Sequence, residues 1–232
     1  MAKTLAEKLA GKFIVVDGPD GCGKSTQRDR LAQHLADKAV DVVLAKDPGG
    51  TEIGERIRHL LLNYDLGQFD VRCETFLFMA SRAQLAGQII APALKAGKTV
   101  LCDRYISATI AYQGAAGYDV NRIIELARYA VSETFPDLTI ILDVDPKVGF
   151  QRTGRSLRDR RKSTDTAGQG MLFDGATTDA MEARSLDFHR KVRQIFLNLP
   201  DDYPGRVEIV DAANDPDSVH NAIREIIERA DF

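Results

Sequence analysis

A buried strand that runs straight into a glycine-rich turn and then a helix leaves a chain few ways to fold, and residues 13–26, FIVVDGPDGCGKST, are such a stretch. Phe13-Ile14-Val15-Val16 is a continuous apolar run of the kind a fully buried strand carries. Gly18-Pro19-Asp20-Gly21-Cys22-Gly23-Lys24-Ser25-Thr26 then fits the phosphate-binding pattern G-x-x-x-x-G-K-[ST] at every required position. The glycines let the backbone curl until successive N–H groups point inward at phosphate oxygens. The helix that follows adds its positive N-terminal end. Lys24 can reach the β- and γ-phosphates of a nucleotide, and Ser25 can ligate Mg²⁺.

The remainder repeats the same alternation. A helix is expected over 25–37, a strand over 40–45, and a break at Lys46-Asp47-Pro48-Gly49-Gly50-Thr51, because Pro-Gly-Gly continues neither element. Thr51 can cap a helix on which Ile53, Ile57, Leu60 and Leu61 share a face. One long helix is expected over 72–96, stopped by Gly97, and then a short strand over 99–102 ending at Asp103-Arg104-Tyr105. Helix over 121–132, strand over 138–144 and a helix opened by Asp145-Pro146 follow. Residues 163–178 are polar and aperiodic and read as a mobile loop. A helix from about Asp179 to Pro200, a strand over 207–210 and a helix capped by Asp215-Pro216 complete the chain. The pattern predicts a single α/β domain over 1–232, three layers around a five-stranded parallel sheet, with ligands at the carboxyl ends of the strands.

A net charge of −3 offers no general attraction to nucleic acid or to a membrane surface, and no apolar run reaches the length of a spanning helix. Cys22, Cys73 and Cys102 lack metal-ligand spacing and read as reduced thiols, in keeping with a cytoplasmic location. Phe78 and Arg82 lie four apart and project from one helix face, a ring for stacking and a guanidinium for a carbonyl oxygen. Asp103, at a strand end, suits Mg²⁺ or the orientation of a phosphate, and Arg104 suits a fork to that phosphate.

Taken in order, DGPDGCGKST, DPGGTEIGERIR at 47–58, FLFMASRAQL at 76–85, CDRY at 102–105, AYQG at 111–114, PDLTIILDVDP at 136–146 and SLDFHRKVR at 185–193 resemble bacterial thymidylate kinases over nearly the whole length. The resemblance implies a three-layer P-loop kinase fold with a mobile basic lid at about 151–180. It implies transfer of the γ-phosphoryl group of ATP to dTMP with Mg²⁺, in a homodimer. Carried over residue by residue, it makes Phe78 and Arg82 contacts of thymine, Tyr112 and Gln113 sensors of deoxyribose and base, and Asp20 a contact of the acceptor sugar. Arg104 binds the acceptor phosphate, and Lys46, Asp47 and Pro48 stand in the family's Arg-Glu-Pro motif.

Gly21 occupies the place where one branch of the family carries a catalytic arginine. The lid arginines, Arg152 first and then Arg155 and Arg158, are the alternative source of that charge. Two departures stand out: Lys46-Asp47 for Arg-Glu, and Ser107-Ala108 for a polar pair such as Asp-Ser. The alternatives are another nucleoside or nucleotide kinase of the same fold, or a regulatory nucleotide-binding domain with weakened catalysis.

Overall fold

The computed structural model describes residues 3–63, 70–154 and 184–232. Five strands form one sheet: β1 (Phe13–Asp17), β2 (Val42–Lys46), β3 (Thr99–Asp103), β4 (Leu138–Asp143) and β5 (Val207–Asp211). Their order is β2-β3-β1-β4-β5 and every pairing is parallel. Register sets Val16 beside Asp103 and Asp17 beside Ile141. The carboxyl ends therefore line up at one edge of the sheet.

β1 lies at the centre with all five residues buried, which explains its unbroken apolar reading. Its side chains alternate between two cores. Phe13 and Val15 face α4 (Val71–Leu85), α6 (Ile106–Ala115), α7 (Val120–Val131) and α9 (Leu186–Asp202). Ile14 and Val16 face α2 (Lys24–Asp37), α10 (Pro216–Arg229) and the short N-terminal α1 (Leu5–Leu9). Each such side chain contributes about 1.5–3 kcal/mol through burial. The three-layer arrangement expected from the alternation is the one observed.

Several elements differ from the sequence expectation. The long helix over 72–96 is α4, a π turn at Ala86–Ile90, and α5 (Ala91–Lys95). Pro92 has no N–H for the ladder, and the wide turn just before it takes up the change of register. Helix α6 was not expected at all. Seven of its ten residues are buried, so it has no polar face and hence no amphipathic period to detect. α9 starts at Leu186, where the Ser185 hydroxyl accepts from the Phe188 amide. It runs past Pro200 to Asp202, because buried Leu199 and Tyr203 hold the last turn in place. The expected start near Asp179, and the loop at 163–178, lie outside the described residues. On α3 (Glu52–Asn63) the anticipated common face divides, with Leu61 buried and Ile53 and Leu60 exposed.

Candidate active site

The glycine-rich loop with the phosphate-binding pattern joins β1 to α2. Gly18, Gly21 and Gly23 all take positive φ, at 141°, 74° and 92°. At Gly21 the requirement is also spatial: a Cβ there would lie 2.2 Å from the carbonyl oxygen of Gly149 in α8 (Pro146–Arg152). A Cβ at Gly149 would in turn lie 2.2 Å from the Asp20 carbonyl. Two backbones thus meet face to face, and neither position has room for a side chain. The Lys24 ammonium folds back onto the carbonyls of Gly18 (3.1 Å) and Pro19 (2.9 Å), in the space the loop encloses. Ser25 and Thr26 are exposed at the start of α2, and Cys22 is buried against the loop, where burial pushes its thiol pKa up.

Next to the loop, at the carboxyl end of the sheet, a pocket is lined by Asp20, Asp47, Pro48, Arg58, Leu62, Phe78, Arg82, Arg104, Ala108, Thr109, Tyr112 and Gln113. Eight of the residues singled out from the sequence come together here. Lys46 does not: its ammonium pairs with Glu55 at 2.9 Å on the surface, and Glu55 also accepts from the Gly50 amide. The Lys46–Glu55 pair braces the Pro-Gly-Gly turn rather than facing the pocket. Arg58, Leu62, Ala108 and Thr109 were missed as site residues, although Arg58 stands inside the quoted 47–58 motif. It follows Gly54 by four residues, and its Nη1 donates to the Pro48 carbonyl at 2.9 Å.

Arg82 is 1% exposed. Its Nε donates to Asp47 Oδ2 at 2.7 Å, and Nη2 to the Tyr105 carbonyl at 3.0 Å and Thr109 Oγ1 at 2.9 Å. Nη1 makes only a 3.3 Å contact with the Met79 sulfur among the described residues. Most of this guanidinium is therefore spent on holding its own position, and Nη1, with sulfur as its partner, is its least strongly engaged nitrogen. Burial raises the Asp47 pKa, and the Arg82 charge opposes that rise. Asp47 Oδ1 has no partner among the described residues. Phe78, one turn before Arg82 on α4, is buried and still reaches the pocket wall.

Arg104 joins the pocket to the loop. It adopts φ 65°, a left-handed conformation uncommon for a residue with a side chain. Its Nη1 donates to Asp17 Oδ1 (3.2 Å) and the Gly18 carbonyl (3.1 Å), and Nη2 to Asp20 Oδ1 (2.6 Å). The guanidinium lies 5.2 Å from the centre of the Tyr112 ring. Burial would lower its pKa, but Tyr112, Asp20 and Asp17 around it raise it further, so it stays charged. Asp17 also accepts from the Ser107 hydroxyl at 2.6 Å. The departure at Ser107 is thus a contact to the end of β1, and Ala108 gives the pocket an apolar wall.

Asp103 ends β3, and its Oδ2 lies 3.3 Å from Arg28 Nη1. No group of three metal-binding side chains occurs among the described residues. Magnesium takes one or two protein oxygens and fills its remaining positions with phosphate and water. The Ser25 hydroxyl and the Asp103 carboxylate have the required hard-oxygen chemistry. Arg152 ends α8 with Nη1 on the Ala212 carbonyl (2.8 Å) and Nη2 on the Ala213 carbonyl (3.1 Å), so it rests on the loop after β5. Arg155 and Arg158 lie outside the described residues.

The SLDFHRKVR motif contacts the carboxyl end of β4 and Asp20. Arg193 forks onto Asp143 at 2.7 and 2.8 Å, and His189 Nδ1 is 3.9 Å from Asp20 Oδ2.

Residues 16–223 match the family model described as Thymidylate kinase. The thymidylate kinase of Protochlamydia amoebophila (strain UWE25) is 40% identical over 223 residues, covering 95% of this chain and 94% of that one. The thymidylate kinase of Geobacillus sp. (strain WCH70) is 35% identical over 212 residues, covering 91% and 93%. Among solved structures, the crystal structure of thymidylate kinase from Ehrlichia chaffeensis superposes with a TM-score of 0.69 at 28% identity, covering 94% of this chain and 99% of that one.

Proposed function

The chain belongs to the thymidylate kinase family, and on that premise we propose that it transfers the γ-phosphoryl group of ATP to dTMP with Mg²⁺, by direct in-line displacement. The observation that carries this reading is Arg104. Its guanidinium touches the phosphate-binding loop at Gly18 and also lines the neighbouring pocket. An acceptor phosphate held by Arg104 would lie beside a donor phosphate held by the loop, and nearness of that kind is most of what phosphoryl transfer asks of a protein.

In this reading the phosphates of ATP replace the carbonyl oxygens that now occupy Lys24. Lys24 then stabilises charge on the transferring group. Asp20 stands at the sugar of the acceptor, and Phe78 and Arg82 Nη1 at its base, with Tyr112 crowding the 2′ position. Ser25 and Asp103 would hold Mg²⁺, which neutralises phosphate charge when bound. Arg152, with Arg155 and Arg158 as further candidates, supplies charge to the transition state after leaving the carbonyls of Ala212 and Ala213. Exposed Ile53 and Leu60 on α3 and Phe76 on α4 support pairing of two copies through these helices. A cytoplasmic location agrees with the reduced thiols, and no helix among the described residues is long and apolar enough to cross a membrane.

The test is an acceptor panel of dTMP, dUMP, dCMP, dGMP and AMP at equal concentration, read as ADP release. dTMP should lead, followed by dUMP, since a missing methyl costs only ~1–3 kcal/mol. A preference for dCMP or AMP would reassign the acceptor. ATP binding with no turnover on any acceptor would favour a regulatory domain.

A further inference from the structure

Glu74 is a fully buried carboxylate on α4 that the proposed reaction does not use. It lies on the helix face of Phe78 and Arg82, four and eight residues before them. Its Oε2 accepts from Gln113 Nε2 at 3.2 Å. Arg184 Nη2 donates to both of its oxygens, at 2.9 and 3.1 Å, while the Arg184 guanidinium stacks 4.6 Å from the Phe188 ring centre. Gln113 is 1% exposed and lines the pocket, and its Oε1 has no partner among the described residues.

A carboxamide presents either a carbonyl or an NH₂ group, and the two ends have nearly the same shape. Which end faces a ligand is set by what holds the other. A carboxylate paired with a guanidinium has no hydrogen to donate, so the Gln113 NH₂ must turn toward Glu74. The carbonyl is then the end available to the pocket. We propose that Glu74, clamped by Arg184, is a specificity-determining positioning residue that locks Gln113 as a hydrogen-bond acceptor in the acceptor-base pocket.

The inference rests on the dTMP kinase reading and extends it. With Arg82 Nη1 as donor and Gln113 Oε1 as acceptor, the wall offers one of each. A thymine or uracil edge carries the complement, a 4-carbonyl oxygen and an N3–H. A cytosine edge carries the reverse, an amino group and an unprotonated N3. Reversing the Gln113 amide would therefore reverse half of the preference.

Glu74→Gln makes that reversal. Arg184 still needs an oxygen, so the new amide gives it the carbonyl and turns its own NH₂ toward Gln113. Gln113 must then offer its carbonyl to position 74 and its NH₂ to the pocket. The ratio of kcat/KM for dTMP to that for dCMP should fall about tenfold or more, the worth of one net hydrogen bond, with the absolute value for dCMP rising. A Gln113→Leu background should abolish the effect of Glu74→Gln on the ratio. Purely structural damage would depress both acceptors alike and leave the ratio unchanged.

If wild type prefers dTMP and folded Glu74→Gln keeps the same ratio, the positioning role is wrong and the dTMP kinase reading stands. If wild type lacks the preference, the function reading fails and takes this one with it. If Glu74→Gln does not fold, N3-methyl-dTMP offered to wild type decides. Rejection by tenfold or more supports an acceptor at Gln113, and turnover equal to that of dTMP overturns it.

Discussion

The proposed acceptor pocket and the proposed phosphate-binding loop lie side by side yet are built by opposite means. In the pocket, side chains do the holding: Arg82, Asp47, Tyr112 and Gln113 are each 5% exposed or less, tied by ion pairs and hydrogen bonds made before any ligand arrives. In the loop, the backbone does the holding, through positive-φ glycines and the Gly21–Gly149 approach. Its Lys24 rests on loop carbonyls and its Ser25 is exposed, while Asp20 turns out of the loop to pair with Arg104. In the proposed reaction the difference follows from what each region would recognise. A base has a particular edge, and reading it needs preset donors and acceptors whose cost was met during folding. A triphosphate is a dense charge that any ring of amides and ammonium groups will bind.

If this division holds, Lys24→Met should separate activity from stability most widely. Turnover should fall by at least about 10³-fold, while the melting temperature stays that of wild type, because the side chain supports no core. A folded variant with near-normal turnover would remove the loop from the mechanism.

Arg82→Ala should show the opposite coupling. It strands the buried Asp47 carboxylate, so about 3–5 kcal/mol of stability should be lost in denaturant melts, together with dTMP turnover and part of its lead over dCMP. Unchanged stability would mean that the pocket is not held by this pair.

Gly21→Ala probes the loop backbone. A positive φ and a carbonyl 2.2 Å from the new Cβ should cost about 2–4 kcal/mol and weaken ATP binding more than dTMP binding. Equal loss of both ligands would argue against a separate backbone-built half.

Arg152→Ala should be milder. kcat should fall about tenfold with KM for dTMP nearly constant, as expected of a charge felt mainly in the transition state. A change in ATP affinity alone would make it a ground-state contact.

The smallest effect should come from thiol labelling. Burial raises the thiol pKa of Cys22 and Cys102, which keeps them protonated at neutral pH and lowers their reactivity, whereas Cys73 is exposed. A maleimide should modify Cys73 first and leave activity nearly intact, as read by mass spectrometry and turnover. Prior modification of Cys22 would show that the loop opens more readily than its packing implies.

Much of this was legible in the chain itself. The glycine spacing of 18–25, the apolar run of β1 and the one-turn spacing of Phe78 and Arg82 are local patterns, and local geometry follows from near neighbours. The five parallel strands were legible for the same reason. α6 was not, because a helix buried on nearly all sides carries no alternation of polar and apolar faces.

What only the tertiary structure decided is which residue holds which. Arg82 reaches Asp47 across 35 positions, Ser107 reaches Asp17 across 90, and Arg184 reaches Glu74 across 110. Sequence offers the donors and acceptors but not their pairing. That pairing is settled when the packed sheet and helices exclude water and most buried polar groups take the partner within reach. Lys46 shows the same rule from outside: its motif pointed toward the substrate, and an exposed glutamate one turn into α3 claimed it instead.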